Sequence, residues 1–138
     1  MAATARPAPP INPKTAIHDL ARNYQDFFNA RELDSVVALF TDDGSLLVPN
    51  HKAVHGRAAI LALLQEGIHE TDPRNSTIET TQHEFSREIA FSIGTSSSNV
   101  RLPDGSRYDD RSKWVSLMRI ERGQWKIVAL MYNSDPPA

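Results

Sequence analysis

The chain has 138 residues, 40% of them hydrophobic and 23% charged, with a net charge of −2. That length and ordinary globular composition suit one domain that buries roughly two thirds of the surface its unfolded form exposes. No basic run exceeds a pair, which excludes a nucleic-acid partner. The absence of cysteine excludes disulfides, thiolate nucleophiles and cysteine-based zinc sites.

Residues 1–13, MAATARPAPPINP, are rich in Ala and Pro and lack the apolar core of a signal peptide. They read as a flexible arm ahead of a single domain over 14–138. No later segment approaches the ~18 apolar residues of a membrane helix. With the missing cysteines, this points to a cytoplasmic protein without a membrane partner.

Ile17, Leu20, Ala21, Tyr24, Phe27 and Phe28 recur at helical spacing, predicting an amphipathic helix from Lys14 to Ala30 with Thr15 as a cap. A second helix is predicted from Leu33 to Phe40, capped by Asp34 and ended by the Asp42-Asp43-Gly44 turn signal. Ser45 to Val48 reads as a short buried strand. Gly56 then precedes a third helix, Arg57 to Ile68, and Glu70 to Asn75 reads as a polar loop. Beyond it the period becomes two. Strands are expected over Ser76 to Phe85, Glu88 to Val100, Arg107 to Glu121 and Gln124 to Ser134, turning at Pro103-Asp104-Gly105 and at Arg122-Gly123. Helices followed by a meander is an α+β order.

The run YQDFFNARELDSVVALFTDDGSLLVPNHKAVHG, from Tyr24 to Gly56, and the ending GQWKIVALMYNSDP, from Gly123 to Pro136, resemble the NTF2-like superfamily. The likeness is to its SnoaL-like and ketosteroid-isomerase-like branch, and it covers nearly everything from Pro13 to Pro137. It implies a cone: three N-terminal helices packed on a strongly curved, mainly antiparallel sheet, with a cavity between. Alternation puts Trp125, Ile127, Ala129, Met131 and Asn133 on one face of the last strand, and Ser112, Trp114, Ser116 and Met118 on one face of the strand before. The resemblance turns these faces into the cone, with Tyr24, Phe28, Leu46 and Val48 completing an apolar lining with polar tips. On the other side, Val115, Leu117, Val128, Leu130 and Tyr132 form an apolar surface that predicts a homodimer through the sheet.

Carried over residue by residue, the isomerase oxyanion Tyr falls on Tyr24, its Asp partner on about Ser116 and the carboxylate base on Val48. A valine takes no proton, so that mechanism is not expected here. Asp110 lies in a segment like the Asp-x-Gly-Lys-Tyr of SnoaL-like proteins, with Trp114 at the Tyr position. It shares parity with Trp114 and Ser116 and is the candidate base, against a surface ion pair with Arg107 or Arg111. Asn133 belongs to an Asn-Ser-Asp ending that the family often carries. His51, at the mouth of the cone, is the histidine that could reach a ligand, against a solvated loop histidine. His51 and His55 have a zinc-like spacing, but Pro49 and Gly56 argue against a helix there, and neither a metal nor another cofactor is expected. The candidate catalytic residues are thus Tyr24, Asn133, Asp110 and His51. Phe28, Leu46, Val48, Trp114, Ser116, Met118 and Met131 are the candidate ligand contacts.

The leading expectation is an enzyme for proton transfer, isomerisation or cyclisation of an apolar oxygenated small molecule. The alternative is a non-catalytic ligand-binding or assembly module of the same fold.

Overall fold

The structure is a computed structural model and describes residues 12–136. Residues 1–11, which hold most of the expected arm, lie outside the described residues. Helix α1 (Pro13–Asn29) starts on a proline, whose missing N–H has no helical partner to lose at that position. Its cap is Asn12 rather than Thr15: Asn12 Oδ1 accepts from the Lys14 N–H at 3.0 Å.

Helix α2 (Leu33–Val37) is shorter than its periodicity suggests, and its cap position is Glu32, not Asp34. Phe40 leaves the helix to open strand β1 (Phe40–Leu47), where it is wholly buried and pairs with Ile127. That tertiary pairing outweighs the local helical pattern. The Asp42-Asp43-Gly44 signal therefore ends no helix. It forms an irregularity inside β1, whose partners pass directly from Phe40–Ile127 to Ser45–Ala129. Gly44 suits the tight passage, since a Cβ there would come within 3.1 Å of the Phe40 side chain and the Thr41 carbonyl oxygen.

Strand β2 (Val54–His55) pairs antiparallel with β1, and α3 (Arg57–Thr71) follows. Four long strands complete the chain: β3 (Arg74–Ser86), β4 (Ile89–Arg101), β5 (Arg107–Glu121) and β6 (Gln124–Ser134). The six-stranded sheet has the order β2-β1-β6-β5-β4-β3. Every neighbouring pair is antiparallel except β1 and β6. The expected α+β architecture, three helices against a mostly antiparallel sheet, is the one observed.

Two irregularities shape the sheet. On β3, Thr81 is an extra residue between the pairs Thr80–Gly94 and Gln82–Ile93. Opposite it, a Cβ on Gly94 would overlap the Glu79 carbonyl oxygen and the Trp114 indole, so the close approach requires glycine. On β6, Leu117 faces Ala129 while Met118 faces Ile127, leaving Val128 as a bulge. One inserted residue exchanges the two faces of everything beyond it.

The main core joins Ile17, Leu20, Val37, Phe40, Leu46, Ile60, Met118, Trp125 and Ile127 at the end of the sheet covered by all three helices. At the other end the C-terminus of α3 is tied down through Asp72, which has φ 40°. Its carboxylate meets Arg31 at 3.2 Å, Arg74 at 2.9 Å and Arg107 at 3.4 Å. Burial works to raise its pKa, but the guanidinium groups of Arg74, Arg31 and Arg107 outweigh burial and hold it below the ordinary value of 3.8. No described helix is long and apolar enough to cross a membrane.

Candidate functional site

Between the helices and the inner face of the sheet lies a cavity of about 430 Å³. One wall is hydrocarbon. Helix α1 contributes Ile17, Leu20, Tyr24 and Phe28, and α3 contributes Leu63, Leu64 and Ile68. Leu46 and Val48 close it from the β1 side. The amphipathic stripe read in α1 thus lines the cavity along its length and joins the core through Ile17 and Leu20.

The opposite wall is unusually rich in hydroxyls. Small inner-face residues of the sheet, among them Ser92, Ser96, Ser98, Ser112, Ser116 and Ser134, line the cavity together with Trp114 and Met118. Trp114 is oriented by its own hydrogen bond, donating Nε1–H to the Thr95 carbonyl at 3.0 Å. Met118 is 1% exposed and belongs equally to the core, as a gap-filling methionine does.

Two corrections follow from the bulge at Val128. Met131 and Asn133, expected inside, lie on the outer face; Met131 is 49% exposed and neither residue lines the cavity. Leu130 and Tyr132, expected outside, line the cavity together with Ser134.

Tyr132 brings a second phenol to the site. Burial, and secondarily the charge of Asp110, raise its pKa above 10.0. Burial, and then the neighbouring Tyr132, push the Tyr24 hydroxyl higher still. Both phenols are therefore neutral donors across the physiological range. The Tyr24 ring is held by Phe28, stacked at 6.3 Å between centroids, and by Phe40, edge-on at 6.4 Å.

Asp110 lines the cavity as its strand parity predicts. Its Oδ2 accepts from Ser134 Oγ at 3.2 Å. It makes no ion pair among the described residues: Arg107 is instead engaged by Asp72 and Asn99, the latter accepting from Nε at 2.6 Å. The surface-pair alternative for Asp110 is thus not what the structure contains. A carboxylate, two neutral phenols and a set of hydroxyls converge on an otherwise apolar space. Such a site can take a proton from carbon and stabilise the oxyanion that results.

The fold is found in known proteins. A SnoaL-like domain model matches residues 21–128. The chain belongs to this SnoaL-like family. No curated protein matches it in sequence. A ketosteroid isomerase-like protein from Erwinia carotovora is 19% identical, with a TM-score of 0.83 over 92% of this chain and 99% of that one. An uncharacterised protein of cystatin-like fold from Caulobacter vibrioides gives 0.77 at 18% identity, covering 90% of each chain. A hexachlorocyclohexane dehydrochlorinase gives 0.76 at 16% identity, over 90% of this chain and 86% of that one. At these identities the likeness is one of fold.

Within this SnoaL-like frame the histidines separate. His51 lines the cavity mouth, and its ring nitrogen and the Glu66 and Glu70 carboxylates lie within 4.8 Å of one another, all exposed. His55 is structural: its Nδ1 is 2.7 Å from Ser45 Oγ, across the β1–β2 pair. His18 of α1 and His83 of β3 meet edge-on at 5.2 Å. Sequence reading missed Tyr132 and Ser134 as site residues. The turn from inner to outer parity at Val128 has no composition signal, since Ile127, Val128 and Ala129 are all apolar.

Proposed function

We propose that the cavity binds an apolar small molecule carrying a carbonyl and moves a proton on it. Asp110 removes the proton from the carbon beside the carbonyl, and the C–H electron pair passes into the enolate. Tyr24, with Tyr132 beside it, donates to the enolate oxygen. Returning the proton from Asp110 to another carbon completes an isomerisation; loss of a leaving group from the β-carbon instead completes an elimination, and attack of the enolate carbon on a second carbonyl of the same molecule, whose oxygen takes the proton back from Asp110, completes a ring closure. The observation that carries this reading is the Asp110 carboxylate, turned into an apolar cavity and held by a hydroxyl rather than by a cation. This is a different carboxylate position from that of the ketosteroid isomerases, where the resemblance puts Val48.

The test is hydrogen–deuterium exchange at the α-carbon of 2-tetralone in D₂O, followed by NMR. The protein should accelerate exchange above buffer. Asp110→Asn should lower the rate by about 10²-fold or more, the usual scale for a general base. Tyr24→Phe should lower it by at least about tenfold, one oxyanion donor being worth about 3 kcal/mol. If the ketone binds but does not exchange, the catalytic reading falls. Val48 is the observation favouring that second reading, a carrier without a base at the isomerase position.

We further propose that the protein is a homodimer through the outer face of the sheet. No cofactor is required by either proposal.

A further inference from the structure

The hydroxyls on the cavity floor form cross-strand rungs, and the rungs are not equivalent. Ser76 and Ser98 bond to each other at 2.6 Å, Ser96 bonds Ser112 across β4 and β5, and Ser134 is committed to Asp110 at 3.2 Å. Ser116 faces Ser92 in the same register. Yet its Oγ is buried without a hydrogen-bond partner among the described residues, although the residue is only 4% exposed. A buried hydroxyl left unpaired is destabilising, and serine is a poorer strand former than the valine that would fit an inner-face position. The neighbouring inner positions, Ala90 and Met118, are in fact apolar. Packing alone therefore does not account for Ser116.

We propose that Ser116, with Ser92 opposite it, is a second polar anchor that takes a neutral oxygen of the ligand, separate from the oxygen polarised at Tyr24. This rests on the reading of the cavity as a ligand site. Neutrality follows from the surroundings. Ser116 lies between Trp114 and Met118 on its strand and beside Leu130 on β6. The basic residues lining the cavity, Arg101 and His51, are exposed. A carboxylate or phosphate at Ser116 would be desolvated without a cation, whereas a hydroxyl or carbonyl would complete the missing bond. Position follows from register. Ser116 is two residues beyond Trp114, the partner of Tyr132, a step of roughly 7 Å along a strand. The ligand class is thus an apolar ring compound with a second, neutral oxygen function away from its carbonyl.

The probes are 2-tetralone and 6-hydroxy-2-tetralone, which differ by one hydroxyl on the far ring, with affinity read by displacement of a fluorescent naphthalenesulfonate dye. The wild-type protein should bind the hydroxyketone about tenfold more tightly. Ser116→Ala should bring the two ketones to equal affinity and should keep or raise the melting temperature of the unliganded protein. A purely structural serine would move the melting temperature without touching the preference. A preference that survives Ser116→Ala, or no preference in the wild type, overturns the anchor. If neither ketone displaces the dye, the cavity reading falls and the anchor with it. If both bind without α-proton exchange, catalysis falls while the anchor is still decided by the preference.

Discussion

Asp72 and Asp110 are carboxylates with opposite employment. Asp110 is left without a cation inside the cavity, whereas Asp72 gathers three guanidinium groups at the junction of α1, α3, β3 and β5. The carboxyl of Asp72 is held below 3.8 when folded. Its contribution to stability is complete above the unfolded value, near pH 4, and is lost as pH falls through the lower folded value. Acid titration of the unfolding midpoint should therefore show a decline below about pH 4. Asp72→Asn should lower stability at neutral pH and flatten that decline, read by denaturant melts at each pH. Were the variant to keep the full acid slope, the slope would belong to other carboxyls.

At the scale of elements, the irregularities decide the site. Uniform alternation predicts the bounds of β5 and β6 correctly, because each is a long run of period-two residues between clear turns. It fails for the faces of β6 beyond Val128, because a bulge depends on the register with β5 and leaves no mark among consecutive apolar residues. The border between α2 and β1 was lost for a related reason: Leu39 and Phe40 continue the helical stripe, but pairing with β6 decides Phe40. Tyr24, Asp110, Trp114 and Ser116 were legible because they sit on stretches where the local period continues unbroken. The register makes a paired prediction for the exchange assay. Ser134→Ala removes a hydrogen bond to a charged group and should slow exchange by about tenfold, and Tyr132→Phe should slow it also. Asn133→Ala and Met131→Ala, on the outer face, should leave it unchanged. The reverse pattern would mean that β6 runs without its bulge.

Among the described residues, the outer face of the sheet is left uncovered by the helices. On the outer side of the sheet, Ile89 is 67% exposed and Leu117 and Met131 are each 49% exposed. Register brings these together with others of their kind: Ile93 pairs with Val115, Val115 with Met131, and Phe91 with Leu117. The patch differs from the sequence expectation in its members, since Leu130 and Tyr132 have turned inward and Met131 has replaced them. Its centre nevertheless remains at Val115 and Leu117. Apolar neighbours spread over three central strands form a broad continuous surface, which a soluble monomer seldom leaves in water. A second copy meeting it about a two-fold axis would be complementary by construction, apolar centre against apolar centre. Light scattering at tens of micromolar should give twice the chain mass. Leu117→Glu would set a carboxylate of each copy at the apolar centre of that contact, and should give a monomer whose secondary structure by circular dichroism is unchanged. A wild-type protein that scatters as a monomer would refute the dimer. A Leu117→Glu variant that stays dimeric would move the contact off this face.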